Sequence, residues 1–252
     1  MIHLKSKREL EIIKKAALIL RQALEKLHSL LRSGITTLEL DQVAEKAIVG
    51  KGGQSAFKGY RGFPRTLCVS INEEVVHGIP SSRKVKEGDL VSLDLGVLYQ
   101  GYYADAARSY VVGQGTEEAM KLIQVARNSF LAGIESVQKP GKRIGDLSRA
   151  VQDCVESNGF GVVRDYVGHG IGQAIHEEPQ VPNFGRPGQG PKIEPGLVLA
   201  IEPMVTAGHY AVETLLDGWT VVTKDRKWAS HYEDTVAFTE EGPVNLTGPE
   251  EN

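Results

Sequence analysis

The segment Gly-Asp-Leu-Val-Ser-Leu-Asp at residues 88–94 is an apolar run that ends in an acid, and residues 196–202 repeat the pattern as Gly-Leu-Val-Leu-Ala-Ile-Glu. Short apolar runs bounded by turn residues are typical of buried strands. An ionised carboxylate in such a run is costly to bury unless it is paired or bound to a metal. Asp94 and Glu202 are therefore the first candidate functional residues.

Helical patterns surround these two strands. Apolar residues three and four positions apart predict a helix over 6–32, and a capping box at Thr36 and Glu39 predicts a second helix that stops at the glycines of 50–53. Two more helices are predicted over 116–137 and 144–157. Strands are predicted over 67–72, 90–97, 102–112, 162–167, 197–205, 211–216, 219–223 and 235–239. The fold class is predicted to be α+β.

The order of elements recurs along the chain. Four residues match four others at one constant offset of 107, namely Gly34, Leu40, Ile48 and Gly52 with Gly141, Leu147, Val155 and Gly159. Self-similarity of this kind predicts one domain over 1–252 built from two related halves, roughly 1–113 and 114–252. Independent helix patterning is the alternative explanation.

Composition excludes several classes of function. The 252 residues are 41% apolar and 24% charged, with a net charge of −3, which indicates a soluble globular protein without the basic excess that nucleic-acid binding requires. No stretch has the length of a membrane span, and residues 1–8 lack the apolar core of a signal peptide. We therefore expect a cytoplasmic protein. Cys68 and Cys154 form no metal-binding motif and are expected to be free thiols.

Two further acids belong to strands. If the hairpin turns at Tyr99 and Gln100, Asp94 lies directly opposite Asp105, and a shared proton or a cation must relieve their repulsion. Glu233 stands at the start of the last predicted strand. For any one of these acids alone, an edge position or a solvated strand end is the more common explanation.

Three histidines lie beside glycines or apolar segments. His169 is part of Gly-His-Gly-Ile-Gly at 168–172, His176 follows seven residues later, and His77 precedes Gly78. Each alone is equally well explained as a hydrogen-bonded turn histidine. Together with four acids they predict an oxygen-rich site for divalent metal ions with one imidazole ligand. The sequence contains no nucleophile elbow, phosphate loop or zinc-protease helix.

These segments resemble those of the methionine aminopeptidases, metallopeptidases with the pita-bread fold. The resemblance covers nearly the whole chain and is carried by residues 74–80, 168–172, 175–177, 201–205 and 232–235, with Asp94 and Asp105. It implies a pseudo-two-fold antiparallel sheet covered by helices. It also implies two divalent ions of cobalt, manganese, iron or zinc. Their ligands would be Asp94 for one ion, His169 and Glu202 for the other, and Asp105 and Glu233 as bridges.

The resemblance also implies a mechanism and a substrate. Water activated by the two ions attacks the first peptide carbonyl, Glu202 moves the proton, His176 stabilises the oxyanion and His77 contacts the scissile amide. The N-terminal methionine of nascent polypeptides is the implied substrate, with action near the ribosome. We expect a monomer. The side-chain pocket would consist of Tyr60, Phe63, Cys68, His77, His176 and Trp219. Without the resemblance, ordinary core packing would explain its aromatic members.

Two residues depart from the pattern of the family, since Phe63 stands where many relatives have tyrosine and Asp234 where histidine is common. The 33 positions between His169 and Glu202 leave no room for the helical insertion of the type II branch, so type I is implied. A zinc-binding extension is not expected. The alternatives are an Xaa-Pro aminopeptidase or prolidase, which normally has a large preceding domain, and a non-catalytic pita-bread binding protein, which typically lacks metal ligands.

Overall fold

A computed structural model describes residues 1–248, so the ends predicted at residue 252 for the domain and for its second half lie outside the described residues. Four α-helices occur in this range: α1 Lys7–Leu30, α2 Thr37–Val49, α3 Glu117–Ser136 and α4 Ile144–Ser157. The strands are β1 Gln54–Ser55, β2 Leu67–Ile71, β3 Glu74–Val76, β4 Leu90–Tyr99, β5 Tyr102–Val111, β6 Gly161–Val162, β7 Gly168–Gly170, β8 Glu177–Val181, β9 Val198–Ile201, β10 Met204–Thr206, β11 Val212–Thr214, β12 Val221–Thr223, β13 Ala229–His231, β14 Asp234–Thr239 and β15 Gly242–Asn245.

The helices begin where the capping residues predict. At the start of α1 the Ser6 hydroxyl accepts from the Glu9 N–H, while a Glu9 carboxylate oxygen 2.7 Å away accepts from the Ser6 N–H. Thr36 and Glu39 form the same reciprocal pair at α2. Such boxes satisfy backbone donors that the first helical turn leaves free. All four predicted helices are confirmed. No described helix has the length and apolar character needed to cross a membrane.

Two hydrophobic cores hold the helices against the strands. In the first, apolar faces of α1 and α2, including Leu20 and Leu40, pack on β2, β4 and β5 through residues such as Leu93. In the second, α3 and α4 pack on β9, β10 and β14, where Leu147 and Ile201 are fully buried. Helices therefore cover antiparallel strands in both parts of the chain. This arrangement confirms the predicted α+β class.

The two largest sheets are joined by hydrogen bonds between β5 and the start of β14. One sheet has the order β1-β4-β2 with β5 beside β4, and the other has the order β15-β14-β9-β7-β8. Between them, Ala107 and Glu233 exchange backbone hydrogen bonds of 3.2 and 3.0 Å. The Asp105 N–H also donates to the Thr235 hydroxyl over 2.9 Å. Strand β5 is thereby joined to the start of β14. Two smaller sheets, β13-β10-β6 and β11-β12-β3, complete the structure.

The predicted hairpin register is wrong by two residues. The turn uses Gln100 and Gly101, so Tyr99 pairs with Tyr102 and Asp94 lies opposite Ala107, not opposite Asp105. Both turn residues have positive φ, 47° and 83°, as two-residue hairpin turns with the twist of the strands require. Asp105 is displaced from Ala107 by two positions. It therefore remains on the same face as Asp94, as a diagonal neighbour.

Two predicted strands are broken. The strand predicted over 197–205 consists of β9 and β10, separated by Glu202 and Pro203. Proline has no N–H for a sheet, and the Glu202 carbonyl instead accepts from the Asn183 amide over 2.9 Å. The strand predicted over 162–167 ends as β6 at Val162, and the chain bends before β7 begins at Gly168.

Candidate active site

The five predicted metal ligands lie around one cavity of about 270 Å³. All the other predicted site residues also line this cavity. The predicted residues in its lining are Tyr60, Phe63, Cys68, His77, Asp94, Asp105, His169, His176, Glu202, Trp219 and Glu233. Phe57, Arg61 and Tyr166 lie beside them.

Strand pairing brings the acids together. Asp94 pairs with Cys68 on one side and with Ala107 on the other, and Ala107 bridges to Glu233. Residues directly opposite in neighbouring strands share a face of the sheet. Cys68, Asp94, Ala107 and Glu233 therefore form one row across the strands, from β2 to the start of β14. Asp234 pairs with Ile201, and continuing that register places Glu202 beside Glu233.

The carboxyl groups are mostly removed from solvent. Asp94 is 8% exposed and Glu233 is 2% exposed, and one oxygen of Asp94 and one of Asp105 have no hydrogen-bond partner in the described part of the chain. Burial raises the pKa of Asp94 to about 7. Burial and the neighbouring acids raise the pKa values of Asp105, Glu202 and Glu233 well above their usual range. Ionising all four carboxyl groups here would therefore require a cation.

The one imidazole of the ligand set presents a free nitrogen to the acids. His169 Nδ1 lies 2.9 Å from the Gly170 carbonyl oxygen and must donate to it, because a carbonyl only accepts. Nε2 then carries the lone pair and lies 3.6 Å from a Glu202 oxygen. Burial lowers the pKa of His169 to about 3, so the ring is neutral. This is the protonation state in which histidine binds metals.

The residues present fit a divalent metal ion. One ligand atom each from Asp105, His169 and Glu233 lies within 4.8 Å of the other two. Asp94 and Glu202 supply further oxygens to the same cavity. Carboxylates with one imidazole suit Mn²⁺, Fe²⁺, Co²⁺ and Zn²⁺. A cation would also satisfy the unpaired oxygens of the two aspartates.

A second part of the cavity wall is aromatic and uncharged. Phe63 and Trp219 meet edge to face, with ring centroids 5.1 Å apart, and His77 lies 6.2 Å from the Trp219 ring. Burial, followed by the charge of Asp94, raises the pKa of the Cys68 thiol well above its usual value, so that it stays neutral. Burial lowers the pKa of His77 to about 4. The wall therefore favours an apolar side chain.

His176 lies between the two parts of the cavity. Its Nδ1 is 2.8 Å from the Tyr60 hydroxyl, and its ring centroid is 4.3 Å from that of His169. Partial burial, with the charge of Arg61 as the second cause, lowers the pKa of His176. A neutral His176 can donate one hydrogen bond into the cavity.

Sequence reasoning missed three residues that support the site. His231 is 2% exposed, and its Nε2 lies 3.8 Å from a Glu202 oxygen and 4.0 Å from a Glu233 oxygen. Asn183 is fully buried and holds the Glu202 carbonyl. Arg108 donates to the Glu233 carbonyl. The position of His231, two residues before Glu233, was the one signal in the sequence that could have indicated it.

Asp234 does not line the cavity. It is fully buried, and its carboxylate accepts from Arg108 and from the Thr247 hydroxyl, both over 2.6 Å. Arg108 also binds the carbonyl of Glu233. Asp234, which follows the last predicted ligand, therefore belongs to an ion pair whose arginine also holds the backbone carbonyl of Glu233.

The fold and the site together define a pita-bread metallopeptidase. The model of metallopeptidase family M24 matches residues 11–240, and the chain belongs to this family. Within it, the chain is 53% identical to a methionine aminopeptidase of Clostridium perfringens, over 98% of this chain and 99% of that one. It is 49% identical to methionine aminopeptidase 1 of Bacillus subtilis, over 98% of this chain and 99% of that one.

Solved structures agree with these relatives. The methionine aminopeptidase of Thermotoga maritima superposes with a TM-score of 0.96 at 44% identity, over 99% of this chain and all (100%) of that one. The prolidase of Pyrococcus furiosus gives a TM-score of 0.76 at 26% identity, and the match covers 98% of this chain but 66% of that one. The chain thus matches methionine aminopeptidases over their full length and prolidases over part of theirs. The comparisons therefore show a metal-dependent methionine aminopeptidase, as the sequence predicted.

Proposed function

We propose that the chain is a type I methionine aminopeptidase that removes the first residue from chains beginning with an unmodified methionine. One observation carries this proposal: a single cavity is lined both by the candidate metal ligands and by the uncharged aromatic wall. The substrates are nascent polypeptides, and the chain acts as a cytoplasmic monomer near the ribosome.

The ligands divide between two divalent ions. Asp94 would hold one, His169 and Glu202 would hold the other, and Asp105 and Glu233 would be shared between the two. When bound, the ions activate water and polarise the scissile carbonyl. The number of ions is supported by the ligand set, because four carboxylates exceed the charge that one divalent ion balances.

The side chains around the ions have separate tasks. Glu202 accepts the proton of the attacking water and passes it to the leaving amine. With the Tyr60 hydroxyl donating to Nδ1, His176 carries its proton on Nε2 and can donate it to the oxyanion. His77, neutral and held at the aromatic wall, contacts the scissile amide.

Methionine fits the aromatic wall of the cavity. A thioether packs well against aromatic rings, and Phe63, His77 and Trp219 offer such contacts. The buried, neutral Cys68 adds no charge that would favour a basic or acidic first residue. A free amine at the metal site is then required, which restricts the enzyme to the first peptide bond.

The test uses metal-stripped protein supplied with Mn²⁺, Fe²⁺, Co²⁺ or Zn²⁺. We expect methionine release from Met-Ala-Ser and none from N-acetylated Met-Ala-Ser or Ala-Pro-Ser. His169→Asn should abolish release, whereas His209→Asn, which changes an exposed histidine outside the cavity, should not. Cleavage of Ala-Pro-Ser instead would assign the prolidase activity. No cleavage with any metal would favour the binding-protein alternative.

A further inference from the structure

Arg61 is the one lysine or arginine among the described residues that line the cavity. It is exposed, and its guanidinium lies 5.3 Å from the centroid of the Tyr60 ring. Within residues 1–248 it forms no hydrogen bond or ion pair. A cation at the cavity mouth thus has no anionic partner in the described chain.

The backbone holds Arg61 in an unfavourable conformation. Its φ is 49°, between Gly59 at 87° and Gly62 at 89°. The loop is closed by a 2.8 Å hydrogen bond from the Gly59 N–H to the Phe63 carbonyl. Glycine or asparagine occupies this left-handed region at lower cost than arginine does. Residues kept in such regions are often found at ligand-binding positions, so the strained arginine is a candidate for a functional role.

The exposed part of the cavity lining indicates where the rest of a bound substrate leaves the cavity. Phe63 and Cys68 are 3% and 4% exposed, and the acids beside them are buried, so the first residue of a substrate is enclosed. Arg61 and His176 are the exposed members of the lining. A chain that places its first residue at the wall must therefore leave past these two side chains.

Metal ions change what Arg61 attracts. Bound divalent ions would balance the charge of the four acids of the cavity. The remaining charge at the exit is then that of Arg61, and it attracts an anion on the outgoing chain. Exposed charge pairs are individually weak, so the effect is one of preference between substrates.

We infer that Arg61 binds a carboxylate of the substrate downstream of the methionine and makes the enzyme favour acidic over basic chains. The inference rests on the proposed function. The carboxylate belongs either to an aspartate or glutamate side chain or, in a short peptide, to the C-terminus.

The experiment compares kcat/KM for C-terminally amidated peptides that differ only in the third residue: Met-Ala-Glu-Ser, Met-Ala-Gln-Ser and Met-Ala-Lys-Ser. A second set places glutamate, glutamine or lysine at the fourth residue instead. We expect the glutamate peptide to exceed the lysine peptide by about threefold to tenfold at low salt, since each exposed pair changes binding by up to about fivefold. The ratio should fall toward one at about 0.5 M salt.

Variants assign the preference to Arg61. Arg61→Asn, which suits the left-handed backbone, should bring the glutamate-to-lysine ratio close to one without lowering the thermal midpoint. Arg61→Glu should invert the ratio, and Arg61→Lys should keep its direction. The matched control is Arg226→Asn: Arg226 also has a positive φ, 58°, but it is paired with Glu213 and lies outside the cavity lining. Its ratio should equal that of the parent protein.

A further pair of peptides distinguishes the two sources of the carboxylate. Met-Ala-Ser with a free C-terminus should be cleaved faster than its amide if the terminal carboxylate reaches Arg61, and this difference should vanish in Arg61→Asn. Equal kcat/KM for all charged and neutral peptides would refute the role of Arg61 and leave the proposed function intact. Absence of methionine release from every peptide would overturn the proposed function as well.

Discussion

Raising the pH of the metal-free protein from 6.5 to 8 is expected to lower its free energy of unfolding, whereas bound metal should remove this loss. The cause is the acid cluster. Burial raises the pKa of Asp94 from 3.8 to about 7 and raises those of Asp105, Glu202 and Glu233 well above their usual range. The folded protein therefore holds protons that the unfolded chain has released. Stability that depends on these protons is complete at low pH and is lost as pH rises through the folded pKa values.

The histidines act in the opposite direction but in a different range. Burial lowers the pKa values of His77, His169 and His231 to about 4, 3 and 3. They are neutral in the folded state, while in the unfolded chain they bind protons below about pH 6.5. The stability they withdraw at low pH is regained as pH approaches 6.5. Above that value this gain fades, to about 1 kcal/mol per pH unit for the three histidines together at pH 7, and the carboxyl groups act against it.

The size of the slope follows from proton counts. Each carboxyl that keeps its proton when folded lowers the free energy of unfolding by about 1.4 kcal/mol per pH unit. Asp94, with a pKa of about 7, keeps roughly half a proton at pH 7. The other three, whose pKa values are also raised, contribute according to the fraction of the proton that each keeps when folded. After the histidine gain is subtracted, the expected loss near pH 7 reaches up to about 4 kcal/mol per pH unit when all three keep their protons.

Urea unfolding at pH 6.5, 7, 7.5 and 8 measures this slope, with tryptophan fluorescence and circular dichroism as probes. Asp94→Asn removes one titrating group at similar size, so the metal-free variant should show a smaller slope and exceed the parent in stability at pH 8. Adding Mn²⁺ should stabilise the parent most at high pH, because the metal competes with protons for the ligands. A metal-free free energy of unfolding that stays level or rises between pH 6.5 and 8 would refute the reasoning.

Two other ion pairs give stability predictions. The Lys5 side chain is 1% exposed, and its ammonium lies 2.6 Å from a carboxylate oxygen of Glu177, the residue after His176. Lys5→Met should therefore lower the free energy of unfolding in urea by about 3 kcal/mol and should also lower kcat. Lys7→Met, which changes an exposed lysine, should alter neither quantity. Unchanged kcat in Lys5→Met would separate this pair from catalysis. Arg108→Met leaves the fully buried Asp234 without its cation and should lower the free energy of unfolding by about 3–5 kcal/mol. A second change, Asp234→Asn, should restore part of this loss. If the effects of the two single changes simply add in the double variant, the two residues are not coupled.

The parts of the fold that the sequence predicted have strong local causes. Helix starts depend on neighbouring residues, as the reciprocal hydrogen bonds of Ser6 with Glu9 and Thr36 with Glu39 show. The position of Asp94 at the end of an apolar run was informative because buried acids are rare without a partner. Such signals need no knowledge of the rest of the chain.

The hairpin register failed for a reason that was also local. Placing the turn at Tyr99 and Gln100 ignored that a two-residue turn requires positive φ at both central positions, which Gly101 supplies more readily than Tyr99 does. The predicted repulsion between Asp94 and Asp105 is nevertheless found, because an error of two residues keeps a side chain on the same face. An error of one residue would have removed Asp105 from the site.

Other residues could not be identified from the sequence because their importance comes from distant contacts. Asn183 lies in a loop without any pattern, and only the folded chain brings its amide to the carbonyl of Glu202. Lys5 precedes the first helix as an ordinary polar residue, yet it is buried against Glu177, far along the chain. Strands of two to five residues, such as β1 and β8, are too short for their alternation to differ from chance.

The position of the site between two sheets limits what either part of the chain can do alone. The predicted halves, 1–113 and 114–252, remain a prediction, but the acids of the first sheet are Asp94 and Asp105, whereas His169, Glu202 and Glu233 come from beyond residue 113. Neither set contains enough ligands for a pair of ions. The two sets are joined by the backbone bonds between Ala107 and Glu233, so that a metal bound here connects the sheets across the same line. Metal binding should therefore stabilise the whole chain in one cooperative transition, and a metal-dependent shift confined to one part would contradict this coupling.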